Sequence, residues 1–213
     1  MIQFPVSLRF KFLALAEQIS VRDAQDREVL YVKQKMFKLK EHVMVYRDSS
    51  QSELLFEIRA DRMLDVSARY AFFHSATNTE LGHVARLGMK SFWRASFDIY
   101  SGQNQLIYHI SEENPWVKLL DGILEAIPLV GPVLNIFQGM FLNPKYIIRD
   151  ELTNKHVLTL VKQRSITEGI FTLEPAKDET TGETFDPYTV SDEKLMTLIL
   201  GVLMMTLLEK ERG

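Results

Sequence analysis

The chain has 213 residues, of which 46% are apolar and 25% are charged, a balance that is typical of a globular protein and excludes an intrinsically disordered one. It contains no cysteine, so disulfides and thiolate metal sites are excluded and a reducing cytoplasm is the expected compartment. The net charge of −3 provides no global positive field that would gather DNA or RNA. We therefore expect one cytoplasmic domain over residues 1–213 that has no nucleic-acid partner.

The N-terminal segment predicts a first strand rather than an export signal. Arg9 and Lys11 precede the apolar residues 12–16, but a signal peptide needs an apolar stretch of roughly 7–15 residues. Because Arg9 and Lys11 alternate along the chain, we expect both on the same face of this strand.

An internal repeat of hairpins follows. Three polar loops begin with an Arg-Asp pair, at residues 22–23, 47–48 and 149–150. An Asp at the start of such a loop can accept hydrogen bonds from nearby backbone N–H groups, which favours chain reversal. Two further reversals, at 75–79 and 101–104, complete a series with a spacing of about 25 residues and one doubled interval. Hairpins in series form a meander, and a meander removes its exposed edges by closing into a barrel.

A basic segment after the first hairpin is the candidate site for an anionic lipid headgroup. Its lysines alternate, so pairs of them share a strand face, with a bulge expected near residues 36–37. Clustered Lys and Arg attract anionic lipid surfaces with about 1 kcal/mol per charge. The alternative interpretation is that these lysines only mark the solvated face of a barrel strand. The candidate residues are the lysines of this segment and the basic residues of the first strand: Lys33, Lys35, Lys38, Lys40, Arg9 and Lys11.

The doubled interval contains a predicted helical insertion, residues 114–144. Its apolar residues recur at helical spacing in two short segments, which are separated by Pro128 and by a Gly-Pro pair at 131–132. The insertion can cap an open barrel end, contact a protein partner or lie in a membrane interface. The first segment carries one Lys against two acidic residues, which argues against the membrane. The candidate contact residues are Trp116, Leu120, Ile123, Ile127, Phe137 and Phe141.

After a polar loop at 176–190, an apolar helix is predicted over residues 191–211. No charge occurs between Leu195 and Leu208, and a helix that is apolar on every side must be buried on every side. These 14 residues span about 21 Å, which is less than the ~30 Å hydrocarbon core of a bilayer but matches the height of a barrel of seven- or eight-residue strands. The sequence therefore predicts a helix through the middle of the barrel, in a protein that is not integral to a membrane.

Three segments accompany the hairpins and the terminal helix: QKMFKL at 34–39, ENPWVKLLDG at 113–122 and FLNPKY at 141–146. Together these features resemble the LURP-one-related proteins of the tubby C-terminal-like group, which also includes phospholipid scramblases. The resemblance implies a mainly β fold, a closed antiparallel barrel of about twelve strands around a central hydrophobic helix. Tubby domains bind phosphoinositide headgroups and scramblases act at membranes. The tubby phosphoinositide residues find no matching positions in this sequence, and neither do the Pro-rich extension and cysteine cluster of scramblases.

The sequence contains no nucleophile motif, no metal-ligand spacing and no phosphate-cradling glycine loop, so we predict no enzyme, no metal site and no cofactor. Five histidines, none at i, i+4 spacing, are expected to be ordinary surface residues. The predicted function is a non-enzymatic binding module for anionic lipid headgroups at the cytoplasmic membrane face. The alternative is a scaffold that binds a protein partner through residues 116–141, and scramblase-like lipid transport ranks third.

Overall fold

The computed structural model describes residues 2–11, 16–35, 42–61, 69–87, 96–113, 145–163, 168–178 and 181–210. Within these residues, twelve antiparallel strands pair in chain order and close into one barrel, because the last strand pairs with the first. The strands are β1 (Val6–Lys11), β2 (Ala16–Arg22), β3 (Glu28–Lys35), β4 (His42–Tyr46), β5 (Leu54–Ala60), β6 (Arg69–His74), β7 (Glu80–Arg86), β8 (Ser96–Ser101), β9 (Leu106–Glu112), β10 (Lys145–Asp150), β11 (His156–Gln163) and β12 (Glu168–Pro175). The predicted mainly β barrel is confirmed.

The first strand lies earlier in the chain than the apolar stretch at 12–16. β1 ends at Lys11 and β2 begins at Ala16, so residues 12–15 lie outside the described part of the chain. Along β1 the side chains of Val6, Leu8 and Phe10 are buried and those between them are not, which is the alternation of a strand with one face on the core.

The hairpin repeat is visible in the backbone of the turns. All five described turns between strands contain a non-glycine residue with a positive φ, namely Asp26, Gln51, Asn78, Asn104 and Asn154. These residues follow one another at intervals of 25, 27, 26 and 50 residues, which reproduces the predicted period with its doubled interval. The fixed turn shape therefore explains the repeat in the sequence.

The Asp of each Arg-Asp pair stabilises its turn in the predicted way. The carboxylate of Asp23 accepts hydrogen bonds from the backbone N–H groups of Gln25 and Arg27, each at 3.0 Å. The carboxylate of Asp48 accepts from the N–H of Ser50 at 2.9 Å, and that of Asp150 accepts from the N–H of Thr153 at 3.0 Å. Each bond satisfies a donor that the strand ladder leaves free where the chain reverses.

A helix, α1 (Asp192–Lys210), runs through the barrel after a 3-10 turn at Pro187–Thr189. From Leu198 to Leu207 every side chain of α1 is buried, and the apolar residues among them belong to the same core as the inward-facing side chains of the strands. The helix packs against β6, β7 and β8. The burial argument from the sequence is therefore confirmed, since sheet surrounds the apolar helix on every side.

A polar contact anchors the start of α1 to the barrel wall. The Nζ of Lys194 lies 2.9 Å from Oδ2 of Asp150, the last residue of β10, and 4.9 Å from the centre of the Tyr108 ring. Burial alone would raise the pKa of Asp150, but hydrogen bonds from Lys194 and Thr153 outweigh it and lower that pKa. The contact joins the first turn of α1 to the end of β10.

Candidate functional site

The outer face of β1, β2 and β3 carries a row of long polar side chains. The strand register places Lys11 opposite Gln18, and Gln18 opposite Lys33. Both lysines are exposed, and the neutral Gln18 between them is half-buried. Because neighbouring strands lie about 4.8 Å apart, the backbones of the two lysines are about 10 Å apart. We call these three residues the basic row.

Arg9 lies on the same face as Lys11, as the alternation predicts, but it pairs with a carboxylate. Its Nη2 donates to Oδ1 of Asp26 at 2.8 Å, and Arg22 reaches the other oxygen of Asp26 at 3.2 Å. Both arginines are therefore bound to the β2–β3 turn. Their charge is partly balanced, which leaves Lys11 and Lys33 as the more available cations on this face.

The remaining predicted site residues are less fully placed. Lys35 lies two positions beyond Lys33 on β3, opposite Ala16. Lys38 and Lys40 lie outside the described residues, as does the whole insertion at 114–144. The six predicted contact residues of the insertion, Trp116, Leu120, Ile123, Ile127, Phe137 and Phe141, are therefore not located by the structure.

A second polar cluster occupies the outer face of β8 and β9, and sequence reasoning missed it. The Oγ of Ser96 lies 3.3 Å from Nε2 of His109, and Nδ1 of the same histidine lies 2.7 Å from Oδ1 of Asp98. The hydroxyl of Tyr100 also donates to Oδ2 of Asp98, at 3.4 Å. Ser96, His109 and Asp98 thus form a serine–histidine–aspartate array, which we call the Ser-His-Asp array.

The surroundings of the array make His109 more basic than a free imidazole. The hydrogen bond from His109 to Asp98 raises the pKa of His109, and this effect exceeds the opposing effect of burial. Asp98 is only 7% exposed, so its charge is little screened by water. His109 keeps about a third of its side chain exposed, at 34%, and solvent can therefore reach it.

Next to the array, His83 on β7 is buried beneath Tyr100. The two rings stack with 4.5 Å between their centres and an angle of 7° between their planes. His83 is 4% exposed, and its Nδ1 has no hydrogen-bond partner among the residues that the structure describes. Burial lowers the pKa of His83 to about 4, with a smaller contribution from the charge of Arg69. His83 is therefore neutral at physiological pH.

No sequence signal could have revealed the Ser-His-Asp array. Ser96 and Asp98 are two positions apart on one strand, a spacing that is common in exposed strands. His109 joins them only because the hairpin register places it opposite Asp98. Such arrays are recognised by geometry rather than by position along the chain. The prediction that every histidine is an ordinary surface residue is wrong for His83, which is buried.

Two further features bear on function. Nowhere in the described part of the chain do three or more potential metal-ligating side chains come together to hold a metal ion. The helices described here include none that is both long and apolar enough to cross a membrane.

Comparison with known proteins identifies a matching family. The family model of the LURP-one-related proteins matches residues 6–122, which is more than half of the chain. No curated protein and no solved structure matches the chain. The match covers β1 to β9 and so includes both the basic row and the Ser-His-Asp array.

Proposed function

Because this chain belongs to the LURP-one-related family, we propose that it is a binding module that recognises anionic lipid headgroups at the cytoplasmic face of a membrane. The family and the closed barrel around a central helix fit a tubby-like binding module. The proposal goes further and names the ligand, an anionic lipid headgroup, and the surface that binds it. The observation that carries it is the basic row on β1–β3.

The geometry of the basic row suits a phosphate-bearing surface. Lys11 and Lys33 project from the same face of the sheet, and a neutral amide, that of Gln18, occupies the position between them. A phosphate that approaches this face can contact both ammonium groups, while Gln18 can donate a further hydrogen bond. On β12, Glu168 is the residue that the strand register pairs with Lys11. Lys35, Lys38 and Lys40 belong to the proposed binding surface on the basis of their sequence pattern alone.

The lysines also explain why binding should depend on lipid charge. A Lys near an anionic membrane contributes about 1 kcal/mol, and this contribution falls off within a Debye length of about 8 Å at physiological ionic strength. Several lysines on one rigid sheet face add their contributions without a cost for ordering the backbone, because the strands are already fixed. Rigid presentation of charge is what a folded module supplies and a flexible basic tail does not.

Vesicle co-flotation tests the proposal. We expect the protein to float with vesicles that contain phosphatidylglycerol or phosphoinositide and to remain behind with phosphatidylcholine alone. The double variant Lys11→Gln/Lys33→Gln should lose about 2 kcal/mol, which is about a 30-fold drop in the partition coefficient. Binding of the unaltered chain should also weaken as salt is raised.

The matched control changes two exposed lysines elsewhere. Lys155, in the turn between β10 and β11, and Lys177, after β12, are both exposed. The variant Lys155→Gln/Lys177→Gln makes the same change in net charge, so it should keep most of the binding. Equal losses in the two variants would show that only net charge matters, and equal recovery on neutral and anionic vesicles would refute the proposal.

Two other functions are alternatives to this one. A scaffold that binds a protein partner through residues 116–141 is supported by the apolar pattern of that segment, and it gains weight if vesicle binding is absent. Scramblase-like transport is supported only by membership of the wider group. It would require lipid exchange between leaflets in vesicles that carry the protein.

A further inference from the structure

We propose that Ser96 is a nucleophile that His109 activates and Asp98 orients, and that this site takes acyl groups from activated carboxylic esters. The inference goes beyond lipid-headgroup binding and does not depend on it, since the Ser-His-Asp array lies on β8 and β9 whereas the basic row lies on β1–β3.

The first requirement of such a site is contact between the nucleophile and its base. The Ser96 Oγ lies 3.3 Å from Nε2 of His109, just beyond the range of about 2.6–3.2 Å for proton transfer, a distance that commonly shortens when a substrate binds. Both side chains are on the outer face of the barrel and are partly exposed, so an ester can approach from solvent. An unactivated serine hydroxyl is a weak nucleophile, and removal of its proton by an adjacent base is what makes it reactive.

The second requirement is a group that fixes the histidine. In neutral His109, Nδ1 donates a hydrogen bond to the carboxylate of Asp98, 2.7 Å away, and Nε2 is then unprotonated and directed at Ser96. Asp98 in turn accepts a hydrogen bond from the hydroxyl of Tyr100, and it is buried, with 7% of its surface exposed. Asp98 is therefore a positioning residue that also stabilises the imidazolium formed during the reaction.

The third requirement is a charge that stabilises the developing oxyanion. Arg149 on β10 is the residue paired with His109, and it is close enough for its charge to oppose protonation of that histidine. Ser111, paired with Ser96 on β9, adds a hydroxyl donor on the same face. Cations and hydroxyl donors are the kinds of group that serve this purpose in acyl transfer, and the strand register places these two on the positions adjoining His109 and Ser96.

The reaction then runs in two balanced steps. Ser96 Oγ bonds to the carbonyl carbon of the ester while its proton passes to Nε2 of His109. The bond to the leaving oxygen breaks, and the alcohol departs with that proton. Water repeats the sequence on the acyl-serine, which releases the carboxylic acid and restores Ser96.

A fluorophosphonate probe tests the nucleophile directly. Ser96 Oγ bonds to phosphorus, fluoride leaves, and the serine proton passes through His109 to solvent. Intact-mass measurement should show one adduct per chain, and peptide mapping should place it on Ser96. Ser96→Ala should abolish this adduct, and His109→Ala should slow labelling by 100-fold or more, the usual contribution of a general base. Ser7→Ala, a half-buried serine on the outer face of β1, should leave the rate unchanged.

The pH profile separates chemistry from a merely structural role. Neutral His109 is the active base, and Asp98 raises its pKa, so the labelling rate should increase with pH around a midpoint above 6.5. Asp98→Asn removes the negative charge and should move that midpoint down. Circular dichroism and thermal melting check that each variant is folded. Labelling of Ser96 at the rate of other serines, or labelling that His109→Ala leaves unchanged in a folded protein, would overturn the proposal.

Discussion

At the scale of single residues, His83 shows how a polar side chain becomes part of the structure of a barrel. It stacks on Tyr100, and its surroundings are set by three charged groups, Arg69, Asp61 and Glu80. Glu80 Oε1 lies 3.4 Å from Nδ1 of His83, while Arg69 forms an ion pair with Glu80. Burial, with a smaller effect from Arg69, keeps the histidine neutral, so protonating it costs free energy in the folded state only.

This arrangement predicts acid sensitivity. The pKa of His83 is lowered from 6.5 to about 4, so the unfolded chain binds the proton more readily between those values. The stability that neutral His83 contributes is fully present above pH 6.5, and it falls as the pH is lowered towards 4. Between pH 7 and pH 5, His83 should remove about 2 kcal/mol from the free energy of unfolding. Urea denaturation at the two pH values measures this difference.

The control variant is His83→Phe, which keeps an aromatic ring against Tyr100 and removes the titration. Its free energy of unfolding should depend less on pH, by about the same 2 kcal/mol. Carboxylates elsewhere titrate equally in both proteins and cancel in the comparison. The same pH dependence in both proteins would show that His83 is not buried as described.

At the scale of elements, two glycines let the helix approach the sheet. A Cβ atom on Gly82 of β7 would lie 2.3 Å from the backbone oxygen of Tyr100 and 2.7 Å from Cγ2 of Thr197 on α1. A Cβ atom on Gly201 of α1 would lie 2.5 Å from Cδ1 of Ile99 on β8. The helix therefore lies close against β7 and β8. One contact is made possible by the glycine on β7 and the other by the glycine on α1.

The two glycines should respond differently to substitution. Gly82→Ala meets backbone that cannot move without disturbing the β7–β8 ladder, so we expect a loss of about 3 kcal/mol or more in the free energy of unfolding. Gly201→Ala meets the end of a flexible isoleucine side chain and also gains about 1 kcal/mol of helix propensity, so its cost should be smaller. Chemical denaturation of both variants tests the order. An equal or reversed order would contradict the described helix position.

The elements also show how far sequence reasoning reaches. The turn positions followed from Asp23, Asp48 and Asp150, because a turn-forming side chain acts on its own neighbours in the chain. The buried helix followed from its uniform apolarity. The Ser-His-Asp array did not, because its members meet through strand register, and register is set by pairing across the sheet rather than by local sequence.

At the scale of the whole molecule, the closed barrel separates two outward-facing polar surfaces. Going round the barrel by way of β12, the basic row on β1–β3 and the Ser-His-Asp array on β8 and β9 are separated by β12, β11 and β10. The strand face on which the lysines lie was predicted from the sequence, because alternation alone assigns a face. Their neighbours across the sheet were not predicted. A rigid barrel that presents charge on one side should meet a membrane in one orientation.

That orientation is the most direct test of the proposed function. The chain has no cysteine, so a single introduced cysteine carries a fluorophore at one known position. Gln18→Cys places the label within the basic row, and Ser111→Cys places it on β9, five strands away round the barrel. On phosphatidylglycerol vesicles with nitroxide-labelled headgroups, the label at position 18 should be strongly quenched and the label at position 111 should not. Equal quenching at both positions, or stronger quenching at 111, would contradict binding through the β1–β3 face.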